Sequence, residues 1–353
     1  MPTGTFDTDD ESNSFGNVED AALIAQQLAK VMDAVSKTPD QEEAMENILG
    51  VDFSKFSPEQ LNEIFSQKTL TSDQEELLAL HEKTNHCVSM QDIQTMAIKG
   101  HLPQRLALCP RPVCSGCLFG KAHKRPWRYK SGKSKIRKKN KHQKPGDCVS
   151  VDTFCSSVDG LIPQSKGILT TDKFTAGTVF VDHASDYVYT HYQIDQTTDS
   201  AIAAKEAFER NMAQVGVTVK RYHADNGIFA SKGFVRHVES SNQHVEYCGV
   251  GAHFQNGIAE NAIKINTGNG RAMLLHAMYR WPEVIKANLW PFAVALADWN
   301  RNHFRIRKDG LTSMEFLTNT HDDFRDKIRH SHPFGCPAFV LASPLQDGNK
   351  IPK

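Results

Sequence analysis

Residues 148–154 read CVSVDTF, a short run of β-branched and apolar residues that predicts a β-strand. Three comparable runs follow it: GTVFVDH at 177–183, DYVYTHYQI at 186–194 and VKRYHAD at 219–225. Between the last two, residues 197–216 begin with Thr, Asp and Ser, carry apolar residues at helical spacing and end in Gly, which predicts a helix. Three strands, a helix and a further strand indicate an α/β unit built on a mixed sheet.

Three acidic residues of this unit stand in settings that could bring them together. Asp152 lies inside a predicted strand, Asp225 ends another before the turn signal Asn226-Gly227, and Glu260 opens a predicted helix. Convergent carboxylates would repel one another unless cations neutralised them. Two Mg²⁺ ions about 3.5–4 Å apart would do so and would form a site for in-line displacement at phosphorus. Taken singly, Asp152 also fits a buried polar residue, Asp225 a turn former and Glu260 an exposed helical residue.

A second group of residues, upstream of the strands, has the composition of a zinc site. His81-x4-His86 precedes the close pair Cys114-x2-Cys117. Structural zinc takes four nitrogen or sulfur ligands in a tetrahedron, and a Cys-x2-Cys turn presents two thiolates to one ion. Because a spacing of five does not fit one helix face, His86 is expected just beyond the end of the helix that holds His81. The alternative interpretation is a surface histidine pair and two unrelated thiols.

Two helix starts are predicted around these ligands. Ser72, with Glu75 three residues later, forms a capping-box pattern, and a second helix is expected from Ser89 to Gly100. A unit of about 50 residues with so little core would depend on the ion for its stability.

Acidic and basic residues are segregated along the chain, although the formal net charge is zero. Residues 1–76 contain 17 acidic and 4 basic side chains, whereas residues 77–150 contain 16 basic and 3 acidic ones. Twelve Lys or Arg and no acid fall within 121–144, a run that repels itself and should form an extended linker. The split suggests contact with nucleic acid. For the basic run, a nuclear-localisation signal and a solvated linker are the other interpretations.

Length and composition exclude several classes of protein. The 353 residues suggest two or three folded units. The longest apolar run has nine residues, at 289–297, well short of the roughly 20 that cross a bilayer. The acidic N-terminus has no apolar core and does not resemble a secretory signal. With eight cysteines and no such signal, an intracellular, reducing compartment is expected.

Several motifs occur in a specific order. They are HEKTNHCVSM (81–90), CSGCLFGKAHKRPWR (114–128), VSVDTF (149–154), VFVDHASDYVY (179–189), YHADNGIF (222–229), AHFQNGIAEN (252–261) and HPFGCPAFVLASPLQDGNKIPK (332–353). From about Leu77 onward the chain resembles the integrase of Ty1/Copia-type LTR retrotransposons. The resemblance implies that His81, His86, Cys114 and Cys117 hold one structural Zn²⁺. It also implies that Asp152, Asp225 and Glu260 are the catalytic triad that holds two Mg²⁺ or Mn²⁺ ions; 34 residues separate Asp225 from Glu260.

The resemblance also implies a fold and a domain organisation. The fold is α/β, an RNase H-like mixed five-stranded sheet with flanking helices, preceded by a small helical zinc-binding module. The expected units are an acidic, partly helical or disordered arm at 1–70, the zinc module at 71–128, a basic linker at 129–145, the catalytic core at 146–305 and a truncated C-terminal extension at 306–353.

The implied activity is metal-dependent trimming of DNA 3′ ends and their joining to target DNA. The implied partners are element and target DNA and further copies of the chain, with no membrane. The implied location is the nucleus, with a cytoplasmic particle stage. The expected DNA-facing side chains are Lys133, Lys135, Arg137, Lys138, Lys139, Gln255, Asn256 and Lys264.

The sequence departs from the family's pattern in the helix that begins near Glu260. Asn261 stands where the family commonly has a basic residue, and Gly268 and Gly270 interrupt a run of helix formers. Each interior Gly costs about 1 kcal/mol relative to Ala, so this helix is expected to be kinked or frayed. Two alternatives follow: a catalytically inactive integrase-derived module for DNA binding or multimerisation, and an RNase H-like nuclease without joining activity.

Overall fold

A computed structural model of the chain describes residues 70–122, 144–163, 170–249, 256–321 and 323–338. The acidic arm, apart from Leu70, lies outside these ranges, as do almost all of the basic linker and the last 15 residues. The expected domain boundaries therefore stay predictions. Within the described ranges, no helix combines the length and the apolar character that crossing a membrane requires.

The first described unit is helical. It contains α1 (Ser72–Lys83), α2 (Met90–Ile98), a 3₁₀ turn (Gln104–Leu106) and α3 (Ser115–Gly120). Ser89 caps α2 as predicted, because its hydroxyl accepts from the N–H of Asp92. The capping box of α1 was predicted one residue too late, since Thr71 and Gln74 form it. The Gln74 side chain also donates to the Pro110 carbonyl at 3.3 Å, and this contact with the loop before α3 accounts for the register.

The core of this helical unit is shared with the rest of the chain. Leu77, Ile93 and Leu106 are fully buried in it, together with Phe304 and Ile328 from the C-terminal part. The unit therefore buries its apolar side chains partly against distant segments instead of forming a closed core of its own.

A five-stranded mixed sheet forms the centre of the second unit. Its strands are β1 (Val149–Gly160), β2 (Phe174–Asp182), β3 (Val188–Gln193), β4 (Arg221–Ala224) and β5 (His244–Tyr247). The spatial order is β3-β2-β1-β4-β5, with β1–β2 and β2–β3 antiparallel and β1–β4 and β4–β5 parallel. This confirms the mixed five-stranded, RNase H-like sheet. Sequence patterns alone did not predict β5, because its four residues alternate only between half-buried and exposed.

Helices cover both faces of the sheet. They are α4 (Thr198–Gln214), α5 (Lys232–Ser240), α6 (Gly257–Arg280), α7 (Trp290–Phe304), α8 (Ser313–Thr318) and α9 (Phe324–Arg329), with 3₁₀ turns at Ile228–Ala230 and Ala287–Leu289. On one face, α4 and α5 pack on the sheet around Phe180 and Phe208, whose rings stack at 4.6 Å. On the other, α6 and α7 cover Val179 and Val181 and the aromatic side chain of Phe154.

Helix α6 is continuous from Gly257 to Arg280, so the predicted fraying at its glycines is wrong. A Cβ at Gly270 would lie 2.9 Å from Val294 Cγ2 of α7. On α3, a Cβ at Gly120 would overlap the backbone of Ala272 in α6. These small residues let α3 and α7 approach the backbone of α6 closely, and the resulting packing offsets the helix propensity that the glycines lose.

Substitution by alanine is expected to have different effects on stability at Gly120 and at Gly268. Gly120→Ala should lower the free energy of unfolding by about 1–3 kcal/mol, because the added methyl group overpacks the contact with α6. Gly268→Ala is the matched control: its Cβ would lie 3.7 Å from the nearest atom, Lys121 Cα. That variant should be neutral or more stable by up to about 1 kcal/mol. Chemical denaturation followed by circular dichroism measures both, and equal losses would contradict this account of the packing.

Candidate metal centre and carboxylate site

The end of α1 reverses the chain so that two histidines meet. Asn85 and His86 follow the helix with φ of 56° and 60°, in the left-handed region that costs most residues roughly 1–2 kcal/mol each. The His86 N–H donates to the His81 carbonyl at 3.0 Å. The Asn85 side chain holds the turn by donating to the His332 carbonyl and accepting from the Phe334 N–H. His86 therefore lies just beyond the helix, as its spacing predicted.

The four predicted zinc ligands are close together. His81 Nε2 lies 3.0 Å from Cys117 Sγ, and His86 Nδ1 lies 3.2 Å from His81 Nε2, 3.3 Å from Cys114 Sγ and 3.7 Å from Cys117 Sγ. All four ligand atoms lie within 4.8 Å of one another. Over the described ranges, this is the one group of three or more His, Cys, Asp or Glu side chains with that property.

The outward-facing ring nitrogens determine which lone pairs point into the cluster. His81 Nδ1 lies 2.7 Å from the Val88 carbonyl oxygen, which can only accept, so Nδ1 carries the proton. In the neutral ring that binds metal, His81 Nε2 then carries the lone pair, and it faces Cys117 Sγ at 3.0 Å. His86 Nε2 contacts His276 Nδ1, which leaves His86 Nδ1 for the cluster. Two imidazole nitrogens and two sulfurs around one point are the donor set of a tetrahedral Zn²⁺ site.

The charges around the two sulfurs favour one thiolate. A hydrogen bond from Cys114 is the main reason that the pKa of Cys117 lies well below its usual range. The same hydrogen bond, together with burial, raises the pKa of Cys114. Burial lowers the pKa of His86, which favours the neutral ring that binds metals. The lowered pKa favours the thiolate of Cys117, which is the form that binds metal.

Adjacent strands carry two of the three predicted catalytic acids. Ser150 of β1 pairs with His223 of β4 in parallel register, and Asp152 and Asp225 each lie two residues further along. The printed pairing of the two strands ends at Ser150 and His223, and Asp225 directly follows β4, which ends at Ala224, so the two acids lie on adjacent segments of the chain. Asp152 Oδ1 accepts from the Thr153 N–H at 2.8 Å, and Asp225 Oδ1 accepts from the Gly227 N–H at 3.2 Å.

The third acid enters from α6. Glu260 lies in the exposed first turn of that helix. Burial and the charges of Asp225, Glu260 and Asp152 together raise the pKa of the Cys248 thiol. The three carboxylates thus all contribute to the electrostatic environment of that thiol. They do not form a group as compact as the His/Cys cluster, so the acidic site is the more open of the two.

The predicted DNA-facing residues have different outcomes. Lys264 is exposed one turn after Glu260. Asn256 is only 1% exposed, and its side-chain amide donates to the Val151 carbonyl at 3.0 Å. Asn256 therefore ties the start of α6 to β1 beside Asp152 instead of facing solvent, which corrects its predicted role. The remaining predicted residues, Lys133, Lys135, Arg137, Lys138, Lys139 and Gln255, lie outside the described ranges.

A cavity of about 320 Å³ lies between β1 and α6, on the side of α6 that continues from Glu260. Phe154, Ile263 and Trp290 line it, together with Arg271. Arg271 Nε is buried without a hydrogen-bond partner among the described residues, and burial lowers the pKa of this guanidinium. Sequence reasoning missed Arg271, because a lone Arg in a helix carries no motif. It also missed His276, which is 190 positions from the ligand it contacts.

No family model matches this chain, and no curated protein matches its sequence. Several solved structures have a similar fold. A chain of the simian T-cell lymphotropic virus intasome in complex with PP2A regulatory subunit B56 gamma is 17% identical, with a TM-score of 0.37; the match covers 57% of this chain and 59% of that chain. This chain thus spans less than two thirds of that neighbour's length.

Two catalytic core domains match over almost their full lengths. The HTLV-2 integrase catalytic core domain in complex with magnesium (trimeric form) is 17% identical, with a TM-score of 0.34, over 49% of this chain and 97% of that chain. The BIV integrase catalytic core domain is 14% identical, with a TM-score of 0.34, over 49% of this chain and 95% of that chain.

The contrast between Asn256 and Lys264 can be measured. Asn256→Ala should lower the free energy of unfolding by about 1–2 kcal/mol, because the Val151 carbonyl loses this donor. It should leave the affinity for duplex DNA unchanged. Lys264→Ala should do the reverse: its exposed side chain contributes little to stability, but its loss should weaken DNA binding most at low salt. Chemical denaturation measures the stability of both variants, and fluorescence anisotropy with a labelled duplex measures their affinity for DNA. If only Asn256→Ala lost DNA binding, Asn256 would contact DNA after all.

Proposed function

We propose that this chain is a Ty1/Copia-type integrase, which trims the 3′ ends of element DNA and joins them to target DNA. The observation that carries the proposal is the placement of Asp152, Asp225 and Glu260. Asp152 lies in β1, Asp225 directly follows the adjacent parallel strand β4, and Glu260 lies in the first turn of α6, and this arrangement supports the proposal. Carboxylates so arranged on rigid elements suit divalent cations with a preference for oxygen ligands.

The three acids fit a site for Mg²⁺ or Mn²⁺. In this proposal Asp152 contributes to both metal positions, with Asp225 at one and Glu260 at the other. When bound, two such ions activate an attacking oxygen and stabilise the leaving one in phosphoryl transfer. The protein's own part is to hold the carboxylates: backbone pairing fixes Asp152 in β1, and Asn256 fixes the entry to α6.

Basic side chains along α6 would hold the DNA strand beside these acids. Lys264 is exposed one turn beyond Glu260, and Arg271 lines the cavity further along the same side of the helix. Contacts to phosphates give affinity with little reading of sequence. The basic run that includes Lys133 and Arg137 is proposed to add to them. Assembly into a homo-oligomer and action in the nucleus belong to the same proposal.

We also propose that His81, His86, Cys114 and Cys117 hold one structural Zn²⁺. Their four ligand atoms, their fixed tautomers and the lowered pKa of Cys117 support it. Because the module shares its core with α7 and α9, the ion would stabilise a docked unit and not a separate finger.

The inactive-module alternative stays open, since the continuity of α6 and the packing of Gly270 against Val294 fit an active and an inactive protein equally well. It stays distinguishable by activity, since such a module would bind DNA without cutting or joining it. A nuclease without joining activity would give trimmed ends and no joined products.

Removing one sulfur should remove the zinc. Purified protein is expected to contain about one Zn²⁺ per chain, and Cys114→Ser should contain close to none, because structural zinc needs all four ligands. Cys155→Ser is the control, since Cys155 is an exposed thiol outside the cluster. Mass spectrometry of the metal content after gel filtration measures all three proteins. Zinc retained by Cys114→Ser, or lost from Cys155→Ser, would refute the assignment.

Neutralising any one acid should stop the chemistry. Asp152→Asn, Asp225→Asn and Glu260→Gln should each reduce end trimming and strand joining to background in Mg²⁺ and in Mn²⁺, because each removes a charged metal ligand. DNA affinity should change little. Glu239→Gln, an exposed acid on α5, should keep full activity.

Gel analysis of a labelled duplex with element-end sequence separates trimmed from joined products. Near-full activity in one of the three variants would remove that residue from the site. An inert parent protein that binds DNA well would favour the inactive module instead.

A further inference from the structure

The His/Cys cluster has a neighbour that belongs to the catalytic unit. His276 lies on α6, the helix that begins with Glu260. Its Nδ1 is 3.0 Å from Nε2 of His86, and the two rings meet edge to face with centroids 5.0 Å apart. The contact joins a predicted zinc ligand to a residue far away in the sequence.

The chemistry of imidazole determines which of the two histidines donates the hydrogen bond and which accepts it. If His86 Nδ1 presents its lone pair to the cluster, its Nε2 carries the proton and needs an acceptor. His86 is 1% exposed, so solvent does not supply one. His276 Nδ1 is at hydrogen-bond distance and can accept.

A carboxylate, itself paired with an arginine, lies beside the other nitrogen of the His276 ring. With Nδ1 accepting, the proton of His276 is on Nε2, which faces Glu82 Oε2 at 3.5 Å. Glu82 in turn accepts from Arg280 at 2.8 Å. Glu82 lies on α1 and Arg280 on α6. Each contact in this series therefore joins the helical unit to α6.

Backbone packing places His276 at this position. Gly116 and Gly120 of α3 lie against Ala272 of α6, one helical turn before His276. The helix that carries Cys117 is therefore seated on the helix that carries His276. Cys117 and His276 therefore both lie at the interface between α3 and α6.

We propose that His276 is a positioning residue of the zinc centre, supplied by the catalytic helix, and that zinc binding is coupled to docking of the module on α6. This rests on the zinc site of the proposed function. His276 does not bind the ion; it fixes the proton and the ring orientation of His86. Groups with this role commonly change metal affinity about 10- to 100-fold when they are removed.

Zinc affinity of the full chain without DNA tests the proposal. His276→Ala should weaken zinc binding by about 10- to 100-fold in competition with a chelator. His276→Asn should recover part of the loss, because an amide oxygen can accept from His86. Tyr279→Ala, on the same helix and outside the chain of contacts, should stay within about twofold of the parent. Parent-like affinity in His276→Ala would overturn the proposal.

Two further readouts separate positioning from misfolding. In the Co²⁺-substituted protein, His276→Ala should keep an absorption spectrum typical of four-coordinate cobalt, since all four ligands remain. Hydrogen exchange in residues 270–280 should accelerate when zinc is removed from the parent; no change there would overturn the coupling. A parent that binds no zinc would contradict the zinc site itself, whereas loss of DNA processing with intact zinc binding would concern the carboxylates alone.

Discussion

The close contact between the α3 and α6 backbones is the constraint on which the rest of the structure depends. No side chain larger than hydrogen fits at Gly120 against Ala272 without a shift of the backbone. That contact packs α3, which carries Cys117, against α6, which carries Glu260 in its first turn. One element, α6, therefore carries an acid of the proposed catalytic site at its start and the neighbour of the His/Cys cluster near its end. The two candidate sites therefore share one continuous helix, although their residues are far apart in sequence.

Sequence patterns predicted much of the sheet and the ligand set of the cluster. Strong β-branched runs marked four strands, and the change of spacing between His81 and His86 placed the helix end correctly. Residue types alone identified His81, His86, Cys114 and Cys117, and the structure brings the four together. These features are local, because each depends on residues within a few positions of one another.

Features that arise from contact between distant segments could not be predicted. The glycines of α6 were expected to kink or fray it, since helix propensity does not include the packing of α3 and α7. Asn256 was assigned to DNA, although its amide is buried against Val151 more than 100 residues earlier. His276 has no motif at all, and only the docked arrangement shows what it contacts. In each case tertiary contact overrode or added to the local signal.

Anomalous diffraction from crystals grown with Mn²⁺ tests the central claim most directly, because it locates ions independently of activity. The proposed function requires manganese density between the Asp152 and Asp225 carboxylates, with zinc density enclosed by His81, His86 and the two sulfurs of Cys114 and Cys117. A map at saturating Mn²⁺ with the zinc peak present and no peak at the carboxylates would contradict a metal-dependent site for DNA processing in this chain.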